Sequence, residues 1–197
     1  DDRIYRDFRE MARRESERPD AIDAVAIVTP NHTHREITEA FFDVGIDVIC
    51  DKPITTSLED AKALQRRQKE TGLVFGVTHP YAAYAMVHQA RQMIARGTIG
   101  TIRQVHVEYL QGFAMTPPDP SRRGHQWRLD PTKVGASSTT ADIGTHAYHL
   151  SSFVSGLRMT DLSAEFHVCG AEKPLEVTAF MRVRFQGDVP GTLMVSQ

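Results

Sequence analysis

Asp47-Val48-Ile49-Cys50-Asp51-Lys52-Pro53 is an apolar run that ends in a charged pair and a proline. It reads as a buried strand that hands Asp51 and Lys52 to whatever lies beyond its end. A lysine leaving a buried strand can lose solvation and meet a partner, which makes it a candidate for chemistry; it can equally be a loop lysine snorkelling to water. Pro53 fixes the turn that aims it.

Working outward, Ile22 to Val28 is almost wholly apolar, as for a strand buried on both faces of a parallel sheet, and Thr29-Pro30-Asn31 stops it. Ile37, Ala40, Phe41 and Val44 then form one helical face, closed by Gly45. Beyond Pro53, Ser57 and Asp60 have capping-box spacing for a helix with Leu58, Ala61 and Leu64 inward and Gly72 at its end; Leu73 to Val77 is a further strand. Asp7 and Glu10 repeat that spacing ahead of a short helix through about Glu15, with Glu10 reaching back. Alternating strands and helices with short connections predict a parallel sheet with right-handed crossovers. Ligands of such sheets bind beyond the carboxyl ends of the strands, so Thr29 to His34, Asp51-Lys52-Pro53 and Thr78-His79-Pro80 share one rim.

After Pro80 the grammar changes. A helix is expected from Ala82 to Arg96, with Ala83, Val87, Ala90 and Ile94 on one face, then a strand from Thr101 to Leu110 with Val105, Val107 and Tyr109 inward. Gln111 to Ser137 is long and rich in Pro, Arg and Gly, and carries Trp127-Arg128; such loops are usually functional or mobile. A helix from Ser138 to Gly156 sets Ile143, Ala147, Leu150 and Val154 on one face and Asp142, His146 and His149 on a neighbouring one. Strands at Leu162 to Val168, Val177 to Phe185 and Gly191 to Ser196, the last two joined by Gln186-Gly187-Asp188, suggest an antiparallel sheet. The reading is a Rossmann-type α/β part over 1–80 and an α+β domain with an open-faced antiparallel sheet over 81–197. The first residue, Asp1, falls inside what already looks like structure, and Gln197 falls within a strand, so both ends are expected to extend further.

The 197 residues are 41% hydrophobic and 24% charged, with a net charge of -2 spread along the chain. That excludes nucleic acid and membrane as expected partners and favours a small molecule. Cys50 and Cys169 lie far apart in apolar runs, which implies a reducing, cytoplasmic setting with both thiols packed as small hydrophobes. No apolar run is long enough to span a bilayer.

Three groups can move protons: Lys52 at the rim, and Asp142 with His146 one turn apart. A helical Asp-His pair is often a surface pair or a satisfied core histidine, but Gly135-Ala136-Ser137-Ser138 ahead of it lets a ligand or another backbone approach the helix start closely. Asp142, His146 and His149 with His125 or His79 could in principle bind zinc or iron, yet His-Glu-x-x-His and cysteine pairs are absent, and no metal is expected. Nor is there a Gly-x-Ser-x-Gly elbow or a P-loop.

Ala26-Ile27-Val28-Thr29-Pro30-Asn31-His32-Thr33-His34, Cys50-Asp51-Lys52-Pro53 and Asp142-Ile143-Gly144-Thr145-His146 together resemble the Gfo/Idh/MocA oxidoreductases, in order and at family-like separations. The resemblance implies an enzyme using NAD or NADP to transfer hydride to or from a secondary alcohol of a sugar, inositol or related polyol. It implies Lys52 as donor to the reacting oxygen, His146 as general base and Asp142 as orienter. Thr29, Pro30, Asn31, His34, Asp51, Lys52, Pro53 and His79 would line the cofactor, and Tyr81, Trp127, Arg128 and His149 the substrate. The Lys52-Pro53 peptide is expected to be cis, and the open sheet face to bring together a homodimer or tetramer. Asp51 replaces the family's Glu, His79-Pro80-Tyr81 stands where Asn or Arg is common, and Gly135 to Thr140 replaces a triple glycine. The family's Gly-x-Gly-x-x-Gly loop does not occur in these residues. Two other functions fit the resemblance: a sensor that binds dinucleotide or sugar without turnover, and a glycosidase that borrows NAD.

Overall fold

In this computed structural model, β1 (Ala24–Ile27) pairs in parallel with β2 (Asp47–Cys50), and β2 with β3 (Phe75–Val77), in the order β1-β2-β3. The structure describes residues 3–112, 127–169 and 175–197. His125 and most of the long segment after Gln111 lie outside them. The chain forms two units, one running through Thr78 and the other spanning His79–Gln197.

In the first unit Val25, Ile27, Val48 and Cys50 alternate inward against Ile37, Phe41 and Phe42 of α2 (His34–Phe42) and Ala12 of α1 (Phe8–Ser16). Ala24, Ala26 and Ile49 face outward, with Ile49 46% exposed. The expectation of a first strand buried on both faces is therefore corrected: α1 and α2 cover one side, so the strand alternates. Asp7 caps α1 by accepting the Arg9 and Glu10 amides, both at 2.9 Å. Glu10 does not reach back; it pairs with Arg14 at 3.3 Å, one turn on. Ser57 accepts the Asp60 amide at 3.1 Å to open α3 (Leu58–Thr71), and Gly72 ends it with φ 70°. Leu64 is fully buried, and truncation to Ala would cost about 2–5 kcal/mol. Leu58, expected to face inward, is 69% exposed because it precedes the first turn that meets the core.

The second unit is built on β4 (Val105–Leu110), β5 (Met159–His167), β6 (Thr178–Phe185) and β7 (Val189–Ser196), in the order β4-β7-β6-β5. β5, β6 and β7 are antiparallel neighbours, as expected, but β4 pairs in parallel with β7, so the sheet is mixed. No hairpin can join β4 to β7, and the chain between them crosses over through helix and strands. Ala179, Met181, Val183 and Phe185 alternate inward beneath Ile143 and Ala147. A Cβ on Gly191 would sit 2.7 Å from the Val105 carbonyl and 2.9 Å from the Phe185 ring, so β4 and β7 meet only over a glycine.

At the start of the second unit, Pro80–Ala83 form a 3₁₀ turn and Tyr84 is extended before α4 (Ala85–Ala95) begins. The single helix expected from Ala82 is thus broken, and Ala83 is exposed rather than on the inner face. A short α5 (Pro131–Val134) is capped by Asp130. Thr140–Gly144 is a π-helical turn that runs into α6 (Thr145–Ser155), where one uninterrupted α-helix was expected. Cys50 is buried, and burial followed by the Asp51 charge pushes its thiol up to about 12. Cys169, expected to be packed, is exposed because it lies past the end of β5. Among the described residues no helix is long and apolar enough to cross a membrane.

Candidate active site

At the carboxyl ends of the parallel strands, two side chains tie three loops together. The ring nitrogens of His34, which is wholly buried, lie 2.9 Å from the carbonyl oxygens of Thr29 and Pro53. Asp51 Oδ1 accepts the Lys52 amide at 2.9 Å and the Thr78 hydroxyl at 2.7 Å. The first residue joins the β1 and β2 loops, the second the β2 loop and the end of β3. Thr29 and Thr33 share a hydrogen bond of 2.7 Å between hydroxyls, and the Thr33 hydroxyl also donates to the Pro30 carbonyl at 2.8 Å. The Lys52-Pro53 peptide is cis. Thr29, Pro30, Asn31, His34, Asp51, Lys52 and Pro53 therefore all belong to one cross-tied rim. Asn31 and His34 are buried in it.

The second unit gathers His79, Tyr81, Asp142, His146 and His149 with a residue that the motifs did not mark, Tyr109. His146 is buried, with the Tyr81 ring 4.6 Å away at 64° and the His79 ring 5.9 Å away at 88°. The His149 ring lies flat on His79, centroids 3.9 Å apart. Burial pushes the His149 imidazole below its ordinary value. The Tyr81 and Tyr109 hydroxyls are 2.6 Å apart. Burial, followed by the hydrogen bond with Tyr81, pushes the Tyr109 phenol up to about 12.

The Asp142 turn is held from the sheet. Buried Glu176 accepts the Ser137 hydroxyl at 2.6 Å, the Thr140 amide at 2.9 Å and the Ser138 amide at 3.2 Å. A carboxylate taking the first amides of a helix satisfies donors that have no partner within it. Gln197 donates to Asp142 Oδ2 at 2.8 Å. Neither residue carries a sequence signal, since Glu176 precedes β6 and Gln197 follows β7, far along the chain from what they hold. Trp127 and Arg128 stay with each other, the guanidinium 4.6 Å from the indole centroid. Lys52 belongs to the first unit, and Asp142 and His146 to the second. Among the described residues no three His, Cys, Asp or Glu side chains group as a metal site.

The rim of the first unit offers groups whose chemistry suits a dinucleotide. Exposed Val28, 79% accessible, and the Thr29 hydroxyl form an uncharged ledge past β1, and Lys52 supplies a cation past β2.

Residues 3–79 match the family described as "Oxidoreductase family, NAD-binding Rossmann fold", and residues 87–197 match the GFO/IDH/MocA C-terminal domain. The uncharacterized oxidoreductase YfiI of Bacillus subtilis is 31% identical over 198 residues, 99% of this chain and 50% of that protein. Levoglucosan dehydrogenase of Pseudarthrobacter phenanthrenivorans is 32% identical over 155 residues, 79% of this chain and 38% of that protein. A solved structure of an inositol dehydrogenase homolog from Azotobacter vinelandii, complexed with NAD+, superposes with a TM-score of 0.93 at 36% identity, covering 99% of this chain and 51% of that one. The chain spans about half the length of these relatives, or less. Motifs, fold and both halves of the match agree that this chain belongs to the Gfo/Idh/MocA family of NAD-binding oxidoreductases.

Proposed function

We propose that the full-length protein is an NAD(P)-dependent oxidoreductase that transfers hydride between nicotinamide and a secondary alcohol of a sugar, inositol or related polyol. The observation that carries this reading is the second unit's cluster: a buried imidazole, His146, four residues from a carboxylate held in a π-helical turn. Such turns recur at functional sites.

The bound dinucleotide supplies the hydride acceptor. A ring nitrogen of His146 takes the hydroxyl proton as the C–H bond breaks, and a positioned general base of this kind raises the rate about 10²–10⁴-fold. Lys52 donates to the oxygen on which negative charge grows, and Asp142 orients the substrate. Thr29, Pro30, Asn31, Asp51, Pro53 and His79 line the cofactor, with His34 and Asp51 fixing the loops that do so. Tyr81, His149, Trp127 and Arg128 face the substrate. The exposed Cys169 thiol suits a reducing cytoplasm, and Leu110 and Phe180, each more than 40% exposed on the open face of the sheet, suit a homo-oligomer.

The test is absorbance at 340 nm with NAD+ and NADP+ over a panel of inositols, aldoses and anhydrosugars, using the full-length protein. Lys52→Ala and His146→Ala should each cut turnover by about 10²–10⁴-fold while the melting temperature stays near wild type. Retained turnover in either variant sinks the assigned roles. No reduction of either cofactor across the panel sinks the reaction.

A further inference from the structure

We propose that Gln197 is a positioning residue that fixes two site groups at once: it holds the Asp142 carboxylate and, through Gln111 and Tyr109, turns the Tyr81 hydroxyl into a donor toward the substrate. The proposal deepens the hydride-transfer reading above and rests on it for the identity of the ligand.

The parallel register of β4 and β7 sets Leu110 opposite Ser196, so the next residues, Gln111 and Gln197, leave the sheet side by side. Backbone bonds clamp both: Gln111 N donates to Ser196 O at 2.8 Å, and Gln197 N to Val177 O at 2.9 Å. The Gln197 amide then uses both of its donors and one of the two acceptor sites on its oxygen. Its Nε2 donates to Asp142 Oδ2 at 2.8 Å and to Gln111 Oε1 at 3.3 Å, while its Oε1 accepts the Thr139 hydroxyl at 3.3 Å. The carboxylate dictates which end of the amide points where, because a flipped amide would set its oxygen against the Asp142 oxygen, two acceptors face to face.

That orientation propagates. With its oxygen accepting from Gln197, Gln111 presents Nε2, which donates to the Tyr109 hydroxyl oxygen at 2.8 Å. Accepting the Gln111 amide polarises the Tyr109 hydroxyl toward donation, so of the two oxygens 2.6 Å apart Tyr109 is the favoured donor to Tyr81. Tyr81, already accepting, has its own proton to give, and its ring lies against His146. One amide that touches no substrate thus sets an acceptor on one side of the site and a donor on the other. A polyhydroxylated ligand offers both complements, a hydroxyl hydrogen for Asp142 and a hydroxyl oxygen for Tyr81.

The experiment uses the full-length protein with Gln197→Glu, which keeps the shape and places a second carboxylate against Asp142. Melting is followed from pH 5 to pH 8 without substrate. Two carboxylates in contact share a proton, so their pKa rises above the unfolded value and the variant loses stability relative to wild type as pH climbs. Adding Asp142→Asn should abolish that pH-dependent loss. With the panel substrate that wild type turns over, the acid limb of kcat/KM should move up by about one pH unit or more, with kcat/KM at pH 7 reduced about 10–100-fold. Tyr81→Phe should lower kcat/KM by a similar factor without moving that limb. A melting difference that does not change with pH, or an acid limb that stays in place, overturns the positioning role. Because the melting arm needs no substrate, a wild type that turns nothing over sinks the hydride-transfer reading and leaves the Gln197–Asp142 coupling to be decided by melting.

Discussion

His79 and His149 stack with their planes 3° apart and centroids 3.9 Å apart, and Phe153 extends the stack at 5.7 Å from His149. Burial lowers the His149 pKa, so its neutral form is the folded one. A group lowered in this way contributes stability that is complete above its unfolded value, about 6.5, and lost as pH falls below it. His149→Phe keeps the stack and removes the titration. The variant should melt closer to its neutral-pH temperature at pH 5 than wild type does, as read by circular dichroism. An equal acid loss in both would sink the assignment.

Tyr109, pushed up to about 12, should be among the last phenols to ionise. The unfolded chain ionises at about 10, so the folded state loses stability as pH rises from there toward 12. In ultraviolet difference titrations at 295 nm, Tyr109→Phe should delete a late component and leave the earlier ones in place. Loss of an early component instead would count against the hydrogen-bonded Tyr81–Tyr109 pair.

Glu176→Ala removes the acceptor of the Ser138 and Thr140 amides and the Ser137 hydroxyl. Charged hydrogen bonds to a buried acceptor predict a loss of about 2–4 kcal/mol in urea unfolding. Glu176→Gln, which still accepts through one oxygen, should lose less. Equal losses would mean that the charge at this helix start contributes nothing.

Gly191→Ala would drive a methyl group against the Val105 carbonyl, Phe185 and Val183. Overpacking of this kind costs about 1–3 kcal/mol. Amide exchange should rise first in β4 and β7, whose pairing the methyl group separates. Unchanged exchange there would show that the strands can yield.

His34→Leu keeps the buried volume but removes the imidazole N–H from between the Thr29 and Pro53 carbonyls, which costs about 1–3 kcal/mol for the acceptor left unsatisfied. If these loops carry the dinucleotide, NAD+ affinity of the full-length protein by calorimetry should fall with stability. Unchanged affinity would separate the rim from the cofactor.

Periodicity and punctuation made most of the elements legible, because the local chemistry that ends a helix also sits next to it in sequence. Asp7, Ser57, Gly72 and Gly156 all stand where the structure needs them. The three motifs were legible from composition and spacing, and the rim was legible as strand ends. What could not be read was whatever depends on pairing across the chain. β4 lies along β7 rather than in a meander, Ala24 and Ala26 face away from the helices, and Glu176, Gln111 and Gln197 meet the Asp142 turn only through tertiary structure. The π-helical turn is similarly silent, since one extra residue in a helix leaves no compositional trace.

The register of β4 on β7 has a temporal meaning. Gln111 is synthesised long before Gln197, yet the two become neighbours only when β7 docks between β4 and β6. Until then the Asp142 carboxylate has no amide from Gln197, and Tyr109 has no oriented Gln111 beside it. A one-residue slip would turn the inward side chains of β7 outward and carry Gln197 away from its partners. Competence of the site is therefore a readout of correct sheet closure, and a nascent or misregistered chain lacks the arrangement that the proposed reaction would use.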